Sequence, residues 1–187
     1  RAGQQQQVGR GGLEAFPIPT ARLGLWVFMA VATVLFSALI SAYLVRMNLP
    51  DWRSLPEPKL LWLNTALLGL SSLFLQRASW ASRQLHLEAT RRNLWLGGLL
   101  GFAFVVGQLL AWNQLQAMGY FLVSNPSSSF FYLMTALHAL HLLGGLVAWG
   151  VVSSRTPPTP LAVELCTTYW HFLLLVWLVL YGLLLLT

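Results

Sequence analysis

Charge is scarce in this chain. Of 187 residues only 9% are charged, 11 Lys or Arg and 5 Asp or Glu, where an ordinary soluble domain carries about 25%. So few charges cannot cover the surface of a soluble protein of this length. The net charge of +6 does not form a basic patch interleaved with soluble structure, so nucleic acid is excluded as a partner. The single cysteine, Cys166, excludes an internal disulfide and a cysteine-based zinc site. There is no HExxH, no glycine-rich phosphate loop and no pair of carboxylates within reach of each other. The polar segments are too short to bury a core, so a catalytic centre housed in this chain alone is not expected.

What the chain has instead is long uncharged runs. Leu23 to Val45 is 23 residues without a charge, about 34 Å as a helix, enough for a hydrocarbon core about 30 Å thick. Leu60 to Gln76 adds 17 residues, and Lys59 and Arg77 can extend it by laying their stems along the helix. Asn93 to Ser154 is uncharged for 62 residues; the turn formers Ser124-Asn125-Pro126-Ser127-Ser128-Ser129 divide it in two. After the connector Arg155-Thr156-Pro157-Pro158-Thr159-Pro160, Leu165 to Thr187 is uncharged again. The expectation is an all-α integral membrane bundle of five transmembrane helices, over about 23–45, 59–77, 93–115, 130–152 and 163–186. These form one membrane domain, 22–187, behind a flexible cytoplasmic tail, 1–21. The first run follows a polar lead and has no small-residue cleavage site, so it reads as a span rather than a signal peptide.

Five spans place the termini on opposite sides. Eight Lys or Arg fall on the N-terminal side (Arg1, Arg10, Arg22, Arg77, Arg83, Arg91, Arg92, Arg155) against three on the other (Arg46, Arg53, Lys59). The positive-inside rule then puts the N-terminus in the cytoplasm and the C-terminus in the periplasm. Trp26, Tyr43, Trp62, Trp95, Trp112 and Tyr181 stand near span ends, as an interfacial aromatic belt would.

Polar residues within the runs are costly in lipid and should face protein. Thr135, His138, His141 and Gly145 share one face of the fourth span, and Glu164, Thr168 and His171 share one face of the fifth. His141 and His171 lie at similar depths, so these two faces are expected to be able to meet. Asn64, Ser71 and Ser72 mark a polar face on the second span, and Gln108 stands alone in the third. Gly97 and Gly101 make one small-xxx-small step. Three readings of His138, His141 and His171 stay open here: interhelical hydrogen bonding, metal or haem ligation by histidines from two helices, and proton relay. Relay lacks a chain of acids, since Glu164 alone lies near a span, where it would suit the start of a helix.

The motifs are similar to those of a known family. Tyr169-Trp170-His171-Phe172 with Trp177 resembles the YWHFxDxxW signature of subunit III of haem-copper oxygen reductases, the cytochrome c oxidase type. Thr135 to His141 with Gly145 is similar to that family's TGxHGxH…G helix, and Leu63-Asn64-Thr65 with Ser71-Ser72 to its LNT…SS helix. Gln108 stands where the family has a glutamine; Phe28 and Phe36 match aromatic positions of its first shared helix. The pieces occur in family order over roughly residues 22–187.

The resemblance implies a five-helix, non-catalytic subunit III of a bacterial inner-membrane oxidase that reduces oxygen to water with proton pumping. Haem and copper would belong to partner subunits, with no cofactor in this chain. The partners implied are the catalytic subunit I, subunit II, a small subunit IV, phospholipid and a respiratory supercomplex. Asn64, Thr65, Gln108, Thr135, His138, His141, Glu164, Tyr169, Trp170, His171 and Trp177 would serve structure and lipid packing, with no catalytic or metal role. A quinol oxidase subunit III is the alternative; a nitric oxide reductase accessory subunit or a small transporter follows. Three family acids are absent, their positions held by Ala32, Ala111 and Leu174, so no role in proton uptake is carried over.

Overall fold

The computed structural model describes residues 19–52, 59–122 and 125–186; most of the 1–21 tail, Arg53 and Ser124 lie outside them. Five helices account for nearly all of these residues: α1 (Thr20–Arg46), α2 (Leu60–Arg83), α3 (Leu87–Ala117), α4 (Pro126–Ser154) and α5 (Pro160–Leu185). α2, α3, α4 and α5 form a ring in which each helix packs on its two neighbours, and α1 lies outside the ring against α4 and α5. α1 runs parallel to α5, with Arg22 near Glu164 and Phe28 near Tyr169. The core is filled by Leu68, Leu75, Phe104, Leu142, Trp170, Leu173 and Trp177.

Helix ends follow local chemistry. α4 begins four residues before the expected 130, because Asn125 accepts a hydrogen bond from the Ser128 N–H at 2.9 Å and Pro126 takes the first helical position. Thr159 and Pro160 start α5 in the same way. α3 ends on Gly119, whose φ of 86° closes a Schellman pair: Tyr120 N–H to Leu115 C=O at 3.0 Å and Gly119 N–H to Gln116 C=O at 2.9 Å. α2 ends with the same two bonds, but its left-handed residue is Leu85, at φ 59°.

The polar connector read between the second and third runs is much shorter than the Arg77–Arg92 spacing suggests. Arg77 and Arg83 belong to α2, Arg91 and Arg92 to α3, and only 84–86 connect them. Long arginine stems continue a helix past its apolar part and carry the charge outward. Four helices, α1, α3, α4 and α5, are long and apolar enough to cross a membrane. α2 is long enough but too polar, because Asn64, Thr65, Ser71, Ser72, Gln76, Ser79 and Ser82 interrupt its leucines.

Glycines let α3 sit close to its neighbours. A Cβ on Gly98 would stand 1.9 Å from the Trp149 ring, and one on Gly101 would stand 2.3 Å from Trp170. Gly97 and Gly101 therefore do not serve one interface: Gly97 admits Leu75 of α2, Gly101 admits Trp170 of α5. The expected aromatic belt also divides. Trp26, Trp62 and Trp95 are exposed on the outer surface, whereas Tyr43 and Tyr181 are buried because they pack against Trp52, Phe130 and Trp177.

Two substitutions test the glycine and turn arguments by thermal unfolding in mild detergent. Gly98→Ala is expected to destabilise by about 1–3 kcal/mol through overpacking against Trp149, while Gly150→Ala, with open space around it, is not. Leu85→Gly is expected to stabilise by about 1 kcal/mol, relieving a left-handed conformation that a side chain disfavours.

Candidate functional site

The candidate residues lie along seams between helices, where polar groups are bonded across from one helix to another. On the α2–α5 seam, Trp177 Nε1–H donates to Thr65 Oγ1 at 2.9 Å, and Thr65 Oγ1 donates to its own Leu61 C=O at 2.8 Å. Nearly three turns further along, Thr167 Oγ1 lies 2.8 Å from Val163 C=O and 3.1 Å from Leu75 C=O. Between them, His171 holds α2 with both ring nitrogens, Nδ1 to Ser72 Oγ at 2.5 Å and Nε2 to Gln76 Oε1 at 2.7 Å. With Gln76 Oε1 as acceptor, Nε2 carries the proton and Nδ1 accepts from Ser72.

The other seams use fewer bonds and larger rings. Between α2 and α3, Ser71 Oγ donates to Gly97 C=O at 2.6 Å, and Asn64 Nδ2 reaches Gln108 Oε1 at 3.5 Å. Between α3 and α4, Trp112 Nε1–H donates to Thr135 Oγ1 at 3.1 Å and Trp149 Nε1–H to Leu94 C=O at 2.7 Å. Between α4 and α5, the Tyr169 hydroxyl donates to His141 C=O at 2.9 Å. Trp170 is fully buried, its ring seated on Gly101 and Gly145.

The histidines do not converge. His138 is buried among Phe36, Phe104 and Trp177. His141 turns to α1, between Phe28 and Phe36, and its Nδ1–H donates to Leu137 C=O at 2.8 Å. His171 turns to α2. The expected meeting of His141 with His171 is therefore corrected: 3.6 residues per turn put their side chains on sides of α4 and α5 that face different neighbours. Among the described residues, no group of three or more His, Cys, Asp or Glu could hold a metal ion.

Glu164 has a role that its position in the sequence did not reveal. It is not in the first turn of α5. Its carboxylate instead pairs with Arg22 of α1 at 2.7 Å and with Arg83 of α2 at 3.3 Å, so one residue ties three helices at one end of the bundle. At the other end Arg46 hydrogen-bonds Asp51, and that guanidinium holds the exposed Asp51 carboxyl below its ordinary value. Ala32 and Ala111 are buried, Leu174 partly so.

Several participants escaped the sequence reading: Gln76, Trp149, Thr167, Gly98 and Gly107. Trp149 had a visible signal, an indole N–H inside an uncharged run that had to find an acceptor. Thr167 had none beyond being a hydroxyl.

Together the apolar outer surface and the polar seams define a multi-pass helical membrane protein. No protein-family model matches the chain, but curated proteins do. It is 30% identical over 171 residues to a probable cytochrome c oxidase subunit 3 of Nocardia farcinica, covering 86% of this chain and 84% of the relative. It is 30% identical over 173 residues to cytochrome c oxidase subunit 3 of Thermostichus vulcanus, covering 87% and 85%. To the protein of the same name in Synechocystis it is 31% identical over 173 residues, covering 84% and 72%. The chain belongs to the cytochrome c oxidase subunit 3 family.

Thr65→Val is expected to leave the buried Trp177 N–H without an acceptor and to cost about 1 kcal/mol in detergent unfolding. Thr168→Val, which removes a hydroxyl bonded to its own helix at Glu164 C=O, is expected to cost less.

Proposed function

We propose that this chain is subunit III of a bacterial aerobic cytochrome c oxidase, a supporting subunit of a complex that reduces oxygen to water and pumps protons. Its relatives are named cytochrome c oxidase subunit 3, so a subunit III of a haem-copper oxidase is the coarser conclusion. The similarity over more than four-fifths of the chain, at about 30% identity, is the observation that carries it. The finer reading takes cytochrome c rather than quinol as the electron donor of the complex.

In this reading residues 22–187 form one membrane domain in the bacterial inner membrane, and α2 is the fifth span. α2 is 24 residues long, about 36 Å as a helix, and its buried polar residues face α3 and α5 rather than lipid. That arrangement supports a span that average hydropathy undervalues. The N-terminus is cytoplasmic and the C-terminus periplasmic, an orientation supported by the arginine bias. Subunit I, subunit II, a small subunit IV and phospholipid are the partners, within a respiratory supercomplex. Haem and copper reside in the other subunits.

The residues singled out in this chain act through packing and hydrogen bonds. Asn64, Thr65, Gln108, Thr135, Tyr169, Trp170, His171 and Trp177 hold the ring of four helices, His138 and His141 contact α1, and Glu164 ties α1, α2 and α5. The exposed leucines and valines of the outer surface, such as Leu63, Leu70, Leu99 and Val147, supply the apolar area for lipid and for subunit I.

Purification in mild detergent tests this. The chain is expected to copurify with haem- and copper-containing polypeptides, and the complex to consume oxygen with reduced cytochrome c. Turnover with quinol and not cytochrome c would replace the donor. Stoichiometric haem on the isolated chain, or ion flux through liposomes holding it alone, would overturn the supporting role. A reporter fused to the C-terminus that is active only in the cytoplasm would reverse the orientation.

A further inference from the structure

Three polar side chains at the centre of the bundle have more bonding capacity than their neighbours use. Asn64 of α2, Gln108 of α3 and His138 of α4 are 0%, 2% and 1% exposed. The Asn64–Gln108 contact makes only half of a reciprocal amide pair: Nδ2 reaches Oε1 at 3.5 Å, while Asn64 Oδ1 and Gln108 Nε2 have no partner among the described residues. Neither ring nitrogen of His138 has one among them. Asn64 Oδ1 is pressed against the backbone of Gly107, where a Cβ would come within 2.1 Å of it, so little room is left beside that oxygen. What remains is a Gln108 N–H2 donor and a neutral imidazole with one donor and one acceptor.

These two groups are level. α3 and α4 are antiparallel, and their register is fixed where Trp112 bonds Thr135 and where Gly98 admits the Trp149 ring. One turn back along α3 from Trp112 is Gln108; one turn on along α4 from Thr135 is Ala139, next to His138. The axial offset between Gln108 and His138 is therefore about 1.5 Å, one residue. The rings of Phe36, Phe104 and Trp177 pack around the imidazole; the two phenyl rings carry no polar atom, and the one donor among the three, the Trp177 N–H, is already given to Thr65.

We propose that an internal water molecule is bound between Gln108 Nε2 and the His138 ring. Water is the smallest ligand that accepts from an amide N–H and donates to an imidazole nitrogen at once, and buried waters occupy sites where protein groups leave both roles open. The water completes a polar layer across four helices: Thr65 with Trp177, Asn64 with Gln108, and Gln108 through water to His138. This is independent of the electron donor and of the other subunits, since every group belongs to this chain.

A high-resolution cryo-electron microscopy map of the protein, purified with its natural subunits, tests the site. The expected result is a density peak within hydrogen-bond distance of both Gln108 Nε2 and a His138 ring nitrogen. A direct Gln108–His138 contact, or no peak, overturns the proposal. Gln108→Leu, His138→Leu and the double variant, compared by melting temperature, are expected to be non-additive, the second substitution adding little to the first; additive shifts overturn it. If the variants do not fold, the natural protein carrying ¹⁵N-histidine is used. Magnetisation transfer from water to the His138 ring by solid-state NMR is then expected, and its absence overturns the proposal.

Discussion

A buried polar side chain needs a bonding partner inside the bundle, and the placement of α2 follows from that constraint. Its Asn64, Ser71, Ser72 and Gln76 all reach side chains or carbonyls of α3 or α5. Rotating α2 by half a turn would take these groups away from α3 and α5 and bury Leu63, Leu70 and Leu73 in their stead. The rotation of α2 about its axis is thus set by where its hydrogen-bond partners lie as well as by leucine packing. The same rule sets the large rings: Trp112, Trp149 and Trp177 each bury an apolar body and bring an N–H to a waiting oxygen.

α1 is attached on different terms. Met29, Ala32, Phe36 and Tyr43 are its buried residues, a narrow stripe, and its hydroxyls at Thr33 and Ser41 bond back to its own carbonyls. The contacts across to the ring are aromatic, Phe28 and Phe36 against His138, His141 and Tyr169, and aliphatic, Phe36 and Tyr43 clustering with Met134, Val176 and Leu180, together with the Arg22–Glu164 pair. Partly exposed ion pairs of this kind contribute little each, so Glu164 is better understood as setting the axial position of α1 than as a source of stability. Much of α1 is left free for apolar contact, consistent with a chain that works in an assembly.

The broad architecture was legible because charge and turn formers punctuate the sequence at the helix ends. The uncharged runs and the turn formers between them mark five helices, but Asn125-Pro126 and Thr159-Pro160 read as turn and connector, so α4 and α5 begin earlier than expected, at Pro126 and Pro160. The ends of α2 and α3 were harder: arginines that belong to helices look like loop residues when only their charge is counted. The site was legible in kind but not in pairing. That Thr65, Gln108, Thr135 and His171 must face protein follows from the cost of exposing them, yet which helix each faces depends on rotations of a few tens of degrees. His141 and His171, similar in depth, ended on different neighbours for that reason. Gly98 and Gly107 were invisible because nothing local says which large side chain will lie over a glycine.

The order in which the chain emerges gives α1 an awkward start. Of the five described helices it is made first, and the two that it touches, α4 and α5, are made after the other two. Between its synthesis and theirs, about a hundred residues are made while the stripe around Phe36 lacks the α4 and α5 side chains it packs against. The ring of α2 to α5 can close without it, so α1 is the natural last piece to dock and the first to come loose. A membrane insertion apparatus, or a neighbouring subunit already in place, is where such a helix would wait.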